Sequence, residues 1–278
     1  PRLRLPPAIN PSHHPPTGRG SGPVMFLTHL PSRTSSVPSR AMVLGAGRGK
    51  RMMPLTDRIP KPLLVISGKT LLDRAIENLL DVGISRVVVN SAHLGEKITG
   101  HVATLNDDRI VVSAEEEALE TGGGVVNALA LLGSDPFYVI NGDSVWVDGM
   151  KSPLLRLAES WDPERMDVLL MLVALARIPN FQGLGDFTMD QEGRLQRRQE
   201  ALIAPYAYMG LSIINPALLS GAPKGAFSLN WLYDRAIEAE RLFGVLHDGL
   251  WYHISTPDDL ESARARFANG HVPAVPFF

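Results

Sequence analysis

From residue 40 onward the chain alternates two patterns: short apolar runs, and longer stretches in which apolar residues return every three or four positions. The runs at 40–44, 87–89, 110–112 and 137–140 show no alternation of apolar with polar, and so predict strands buried on both faces. Thr70 can cap a helix whose stripe is Leu71, Leu72, Ala75, Ile76, Leu79 and Leu80, ending at Gly83. Further helices are expected over 95–103 and 124–132. Strands and helices in this alternation predict an α/β chain with a Rossmann-like, mostly parallel sheet flanked by helices. The later pattern is more mixed. It predicts a strand over 167–174, a hairpin over 187–195 turning at Glu192-Gly193, and strands over 206–214 and 242–246. A helix is expected over 229–240, and a last one over 257–267 with Thr256 as its N-cap.

Residues 1–38 follow neither pattern. They hold nine of the 22 prolines, with many Ser, Thr, Arg and Gly, and are expected to form a disordered or extended low-complexity tail. Their basic bias is that of a targeting peptide, but the prolines interrupt a continuous amphipathic helix. Met25 fits a natural start of translation, with the upstream residues coming from an extended reading frame. The rest is expected as one domain over 39–270, regular over 39–145 and less so over 146–255, with a tail over 271–278.

Composition narrows the chemistry. The 278 residues are 45% hydrophobic, which suits a globular protein, and the net charge of -2 supplies no electrostatic ground for a nucleic-acid partner. With no cysteine, disulfides, thiolate zinc sites and cysteine nucleophiles are excluded, and a cytoplasmic setting is expected. The apolar runs fall short of the roughly 20 residues of a membrane span, so no membrane partner is expected.

The chemistry gathers at strand ends. An open α/β sheet binds ligand beyond the carboxyl ends of its strands, and there stand the loop 45–51, Asn90, Glu120-Thr121-Gly122 and Asp143. The loop Gly45-Ala46-Gly47-Arg48-Gly49-Lys50-Arg51 suits a polyphosphate, because glycine lets backbone amides approach an anion. It is not a P-loop, since Arg51 stands where Ser or Thr would follow Gly-Lys. Nor is it the dinucleotide fingerprint, whose third glycine lies one position later. Arg51 and Lys61 add positive charge, and Pro54, Pro60 and Pro62 stiffen the segment.

Leu44, Ala46, Gly47, Gly49, Arg51, Pro54, Leu55 and Thr56, followed by Pro60, Lys61, Pro62 and Leu63, resemble the signature of the nucleotide-sugar pyrophosphorylases. That resemblance covers about 40–267 and implies a nucleotidyltransferase domain, its nucleotide-binding part over 39–145 and its sugar-binding part over 146–255. The implied partners are a nucleoside triphosphate and a sugar 1-phosphate, on a monomer or small homo-oligomer. The sugar phosphate attacks the α-phosphorus and pyrophosphate leaves, with Mg²⁺ as cofactor and Mn²⁺ as an alternative. Arg51, Lys61 and Asp143 are the implied catalytic residues: Arg51 on the β/γ-phosphates, Lys61 near the α-phosphate, and Asp143 as metal ligand. Leu44, Gly45, Ala46, Gly47, Gly49, Asn90, Glu120, Thr121, Gly122 and Gly123 are expected with Arg51 around the nucleotide. Asn141, Gly185, Asp186 and Gly210 are expected around the sugar. Lys50 falls at a variable position and is expected in solvent.

The segment Leu119-Glu120-Thr121-Gly122-Gly123-Gly124 resembles the branch using UTP and N-acetylmuramic acid 1-phosphate in cell-wall recycling, and mannose-1-phosphate guanylyltransferases share much of its wording. Two departures stand out. The family's second metal-binding aspartate lies in a W-x-D-x-G-T segment, read here as Trp251-Tyr252-His253-Ile254-Ser255-Thr256. His253 can accept a phosphate hydrogen bond, ligate a softer ion, mark a weakened enzyme or a non-catalytic sensor, or be structural. The family's Glu-Lys pair also has no match over 194–200. Trp231, Tyr206 and Tyr208 suit either a sugar ring or the core. With no hexapeptide repeats before Phe278, the C-terminal β-helix of some relatives is expected to be absent.

Overall fold

The computed structural model describes residues 37–178 and 183–271, all within one compact unit, Thr34–Phe278. The expected tail over 1–38 therefore lies almost wholly outside the described residues, as does the C-terminal tail beyond His271. Strand β1 (Arg40–Leu44) leads into the glycine loop. After it come a small hairpin of β2 (Val65–Ile66) and β3 (Lys69–Thr70), helix α1 (Leu71–Asp81), β4 (Arg86–Ser91) and α2 (Gly95–Leu105). Then follow β5 (Ile110–Ala114), α3 (Glu120–Leu132) and β6 (Phe137–Asn141).

β1 pairs in parallel with β4 on one side and β6 on the other, and β4 pairs in parallel with β5. Alternate side chains explain the apolar runs. Ala41, Val43, Val87 and Val89 pack with Leu72, Ile76 and Leu79 of α1 and Ile98 of α2. Met42, Val88 and Val139 belong to the core on the other face, with Val125, Ala128 and Leu132 of α3. Both faces are covered, so the middle positions of β1, β4 and β6 are apolar. Thr70 begins α1 as expected: its side chain accepts the Asp73 amide, and the Asp73 carboxylate accepts the Thr70 amide.

The second half runs through β7 (Val145–Val147), α4 (Pro153–Ser160), β8 (Val168–Ala174), β9 (Phe187–Met189), β10 (Leu195–Arg197) and β11 (Tyr206–Ile214). It finishes with α5 (Asn230–Glu238), β12 (Leu242–Leu246), β13 (Leu250–Tyr252) and α6 (Pro257–Ala268). β11 joins the sheet antiparallel to β6 and β8, while β8 pairs in parallel with β12. The sheet is thus Rossmann-like and parallel through β5-β4-β1-β6 and mixed beyond β6. β7 and β13 pair with each other outside it. A third core joins them to the signature loop and α6 through Met52, Leu64, Val145, Tyr252, Ile254 and Leu260.

The helix expected over 124–132 begins four residues earlier, at Glu120, so the glycine run lies inside α3. The amides of Gly122 and Gly123 both donate to the Phe227 carbonyl, at 2.8 and 3.1 Å. A Cβ on Gly122 would lie 2.4 Å from the Phe227 ring, and one on Gly123 would lie 2.4 Å from the Gly225 carbonyl oxygen. These glycines let a distant loop close onto the helix. Gly122→Ala should therefore destabilise the protein by about 1–3 kcal/mol, the cost of overpacking a tight contact. Chemical denaturation measures it, and an unchanged midpoint would show that the 225–227 loop yields freely.

Candidate active site

The crevice lies at the carboxyl end of β1, where the chain leaves for β4 on one side and β6 flanks it on the other. Such a switch point opens a gap between neighbouring loops. The Gly45 amide donates to Asn90 Oδ1 at 2.7 Å, and a Cβ at Gly45 would lie 2.7 Å from the Asn90 carbonyl oxygen. Gly49 turns the chain at φ +61, and its carbonyl accepts both the Met52 amide at 2.8 Å and the Thr56 hydroxyl at 3.0 Å. Thr56 is 1% exposed. It is a tie holding the loop shut, which accounts for its spacing from Gly49. The Gly142 amide donates to the Leu44 carbonyl at 2.9 Å, and the Pro62 ring lies beside both Gly45 and Gly142. Three separate blocks of sequence thus fold as one unit, which holds Lys61 Nζ 2.5 Å from Asp143 Oδ2. The Lys61 side chain is 11% exposed and that of Asp143 36%.

Leu44, Gly45, Gly47, Gly49, Arg51, Lys61, Thr121, Asn141 and Asp143 come together around a cavity of about 350 Å³. A Cβ on Gly47 would meet nothing within 4 Å, so that backbone faces open space. Lys50, expected in solvent, is exposed and lines this cavity too. Ala46 is buried. Asn90, expected at the nucleotide, lies beneath the loop, while Gly122 and Gly123, expected there too, give their amides to the Phe227 carbonyl. Asn90 Nδ2 donates to Glu115 Oε1 at 2.6 Å, and Glu115 Oε2 accepts the Leu119 amide at 3.0 Å. Glu120 is exposed at φ +57 and, unlike its neighbour Thr121, is not among the lining residues.

On the sugar side, Asn141 lines a cavity of about 140 Å³ with Lys61, Asp143, Tyr208 and His253. This continues into a larger one of about 790 Å³ that includes Asp186. The Asp186 carboxylate accepts the Tyr208 amide at 2.8 Å, where the register between β11 and β8 shifts. Gly210 and Gly185 shape the wall from behind. Both have positive φ, and a Cβ would lie 2.3 Å from Ser144 Oγ at the first and 2.2 Å from the Ala204 carbonyl oxygen at the second. Trp231 packs on Phe227 and beneath Arg235, away from the crevice. Trp251 and Ser255 were not singled out as ligand contacts by sequence reasoning, yet both line the crevice. Only the family segment they sit in pointed there.

His253 faces Arg51, Asp143 and Lys61 across the small cavity. The cost of desolvating an imidazolium in the crevice holds its pKa below 6.5. Asp259 opposes that shift, and Arg51 reinforces it. Among the described residues no group of three His, Asp or Glu side chains stands together as a ready metal cage. Asp143 alone still fits Mg²⁺ chemically, because a hard carboxylate oxygen suits an ion whose other ligands are phosphates and water.

The sequence matches the nucleotidyl transferase family over residues 40–201, more than half the chain. It is 38% identical over 239 residues to the N-acetylmuramate alpha-1-phosphate uridylyltransferase of Caulobacter vibrioides, covering 84% of this chain and 99% of that protein. It is 33% identical over 230 residues to the protein of the same name from Neisseria meningitidis serogroup B, covering 81% and 97%. A solved UDP-glucose pyrophosphorylase in complex with UDP-glucose has the same fold, with a TM-score of 0.69 at 16% identity, over 84% of this chain and 99% of that one. The chain belongs to the nucleotidyl transferase family. At the level of that family its activity is the joining of a nucleoside triphosphate to a sugar 1-phosphate.

Charge placement in the loop yields a test. Lys61→Ala and Arg51→Ala should each lower kcat/KM by roughly 10²–10³, as when one preorganised donor to a transition state is removed. Lys50→Ala should cost far less, because Lys50 borders only the loop cavity whereas Arg51 borders all three cavities of the crevice. Pyrophosphate release measures all three, and the reverse ranking of Lys50 and Arg51 would show that the loop register is misread.

Proposed function

We propose that the chain is a uridylyltransferase that joins UTP to N-acetylmuramic acid 1-phosphate and releases pyrophosphate, in the recycling of cell-wall sugar. The observation that carries this reading is the 38% identity to the Caulobacter protein along nearly its whole length. The Glu120-Thr121-Gly122-Gly123-Gly124 wording agrees with it.

The reaction asks for alignment of two repelling anions more than for proton transfer. The attacking oxygen of the sugar phosphate is already ionised. As it bonds to the α-phosphorus, the bond to the pyrophosphate oxygen breaks and that oxygen takes the charge. The loop amides over 46–49 and Arg51 hold the β- and γ-phosphates, neutralising the leaving group as its charge grows. Lys61 stands nearer the α-phosphate. Without ligand it neutralises Asp143; with phosphate oxygens present it turns its protons to them, leaving the carboxylate open. Asp143 would then hold Mg²⁺, which supplies further neutralisation of phosphate charge. His253 faces the phosphates from across the crevice.

Pyrophosphate release across a matrix of nucleoside triphosphates and sugar 1-phosphates tests the substrate. UTP with N-acetylmuramic acid 1-phosphate should be preferred, and a preference for GTP with mannose 1-phosphate would replace that substrate while leaving the reaction class. Asp143→Ala should abolish turnover, and His253→Asp should keep or raise it with Mg²⁺. No turnover with any pair, despite nucleotide binding by calorimetry, would favour a non-catalytic sensor, the reading that His253 and Ser255 motivate.

A further inference from the structure

The 790 Å³ cavity reaches past His253 along one face of α6, whose Asp259, Ser262, Ala263 and Arg266 line it at helical spacing. Asp186 and Tyr208 contribute lining as well. Two polar atoms on this lining are buried and have no hydrogen-bond partner among the described residues: Ser255 Oγ and Trp251 Nε1. Ser255 is 5% exposed and borders the phosphate cavity too. A buried hydroxyl and a buried indole N–H without partners are costly, and both belong to residues that border this cavity.

The charges here are mostly committed. The Asp259 carboxylate accepts the amides of Ser255 and Thr256 at 2.9 and 2.8 Å. Asp186 accepts the Tyr208 amide. Asp258 is exposed in the first turn of α6, where the helix dipole favours it. Arg51 stands at the inner end, where it also borders the loop cavity. Arg266 stands at the outer end, and no carboxylate pairs with it among the described residues.

We infer that Arg266 recognises the carboxylate of the 3-O-lactyl group on the sugar, and so sets this chain's preference for a muramic acid over the parent N-acetylglucosamine. The inference rests on the muramic acid reading proposed above. A lactyl ether is what distinguishes the two sugars, and it adds one carboxylate, the group a planar guanidinium binds with paired hydrogen bonds. The reach fits. Ten residues of helix separate Thr256 from Arg266, about 15 Å at the rise of an α-helix. A hexose ring with a lactyl arm extending from the phosphate side, met by an extended arginine, covers that span.

The test compares kcat/KM for N-acetylmuramic acid 1-phosphate and N-acetylglucosamine 1-phosphate, each with UTP, in the unaltered full chain and in Arg266→Ala, Arg266→Met and Arg266→Lys. Arg266→Met keeps most of the aliphatic stem, which separates lost charge from lost packing. The ratio of the two kcat/KM values should fall about tenfold or more in both Arg266→Ala and Arg266→Met, as expected for loss of a charge-assisted hydrogen bond. The change should appear in KM for the muramic sugar rather than in kcat, and Arg266→Lys should restore part of the ratio. Calorimetry with N-acetylmuramic acid 1-phosphate alone should show the same weakening without turnover. An unchanged ratio in Arg266→Met, with the unaltered chain still preferring the muramic sugar, overturns the role of Arg266 and spares the proposed function. No preference for the muramic sugar in the unaltered chain overturns both.

Discussion

The buried amide of Asn90 joins the parts of this structure that must not move relative to one another. Its oxygen takes the Gly45 amide, its nitrogen donates to Glu115, and the other oxygen of Glu115 takes the amide of Leu119, where α3 begins. The carboxyl ends of β1, β4 and β5 and the start of α3 are thereby held by one short chain of hydrogen bonds. Asn90 is 1% exposed and Glu115 8%, so water competes little and the charge-assisted link is strong. The space is also closed to side chains. A Cβ on Gly124 would lie 2.6 Å from Asn90 Nδ2 and 2.8 Å from Glu115 Oε1. A phosphate-binding loop made largely of glycine has little stiffness of its own, and takes its shape from this network below and from Thr56 within.

The opposite wall is held by different means. Among the described residues β13 stands outside the main sheet and pairs only with β7, and it carries 251–256 back toward the loop. Thr256 and Asp259 form a capping box, and Asp259 also accepts the Ser255 amide, so the turn between β13 and α6 is fixed from both sides. Tyr252 and Ile254 point into the same core as Met52, leaving His253 and Ser255 to border the crevice. Alternation along an extended segment, two apolar side chains inward and the polar ones toward the cavity, is what delivers these residues to the site.

Much of this was readable in the chain itself. Double burial leaves an unbroken apolar run, so the strands around 40–44, 87–89 and 137–140 announce themselves, and the stripe of α1 with Thr70 before it is as plain. The loop could be read because its glycines, cations and prolines come at fixed intervals. What escaped was decided by distant partners. A glycine making room for a ligand and one making room for Phe227 look alike in sequence, so α3 is expected to start later than it does. Asn90 was visible as a polar residue ending an apolar strand, but whether it turns toward the crevice or beneath the loop depends on Glu115. β7 and β13 have three residues each, too few for any period to show, and α4 hides its four inward positions, Pro153, Leu154, Leu157 and Ala158, in only eight residues.

The wide separation of the crevice's parts along the chain bears on how the protein is made. Met52 is fully buried, yet its core neighbours Tyr252, Ile254 and Leu260 are synthesised about two hundred residues later, and Arg264 closes onto the Val65 carbonyl across a gap of 199 residues. During translation the β5-β4-β1-β6 half can condense early, since its contacts are sequential. The underside of the loop stays uncovered until the last helix emerges. An incomplete chain therefore has a sheet but no finished crevice, and competence arrives only with the final turns of α6.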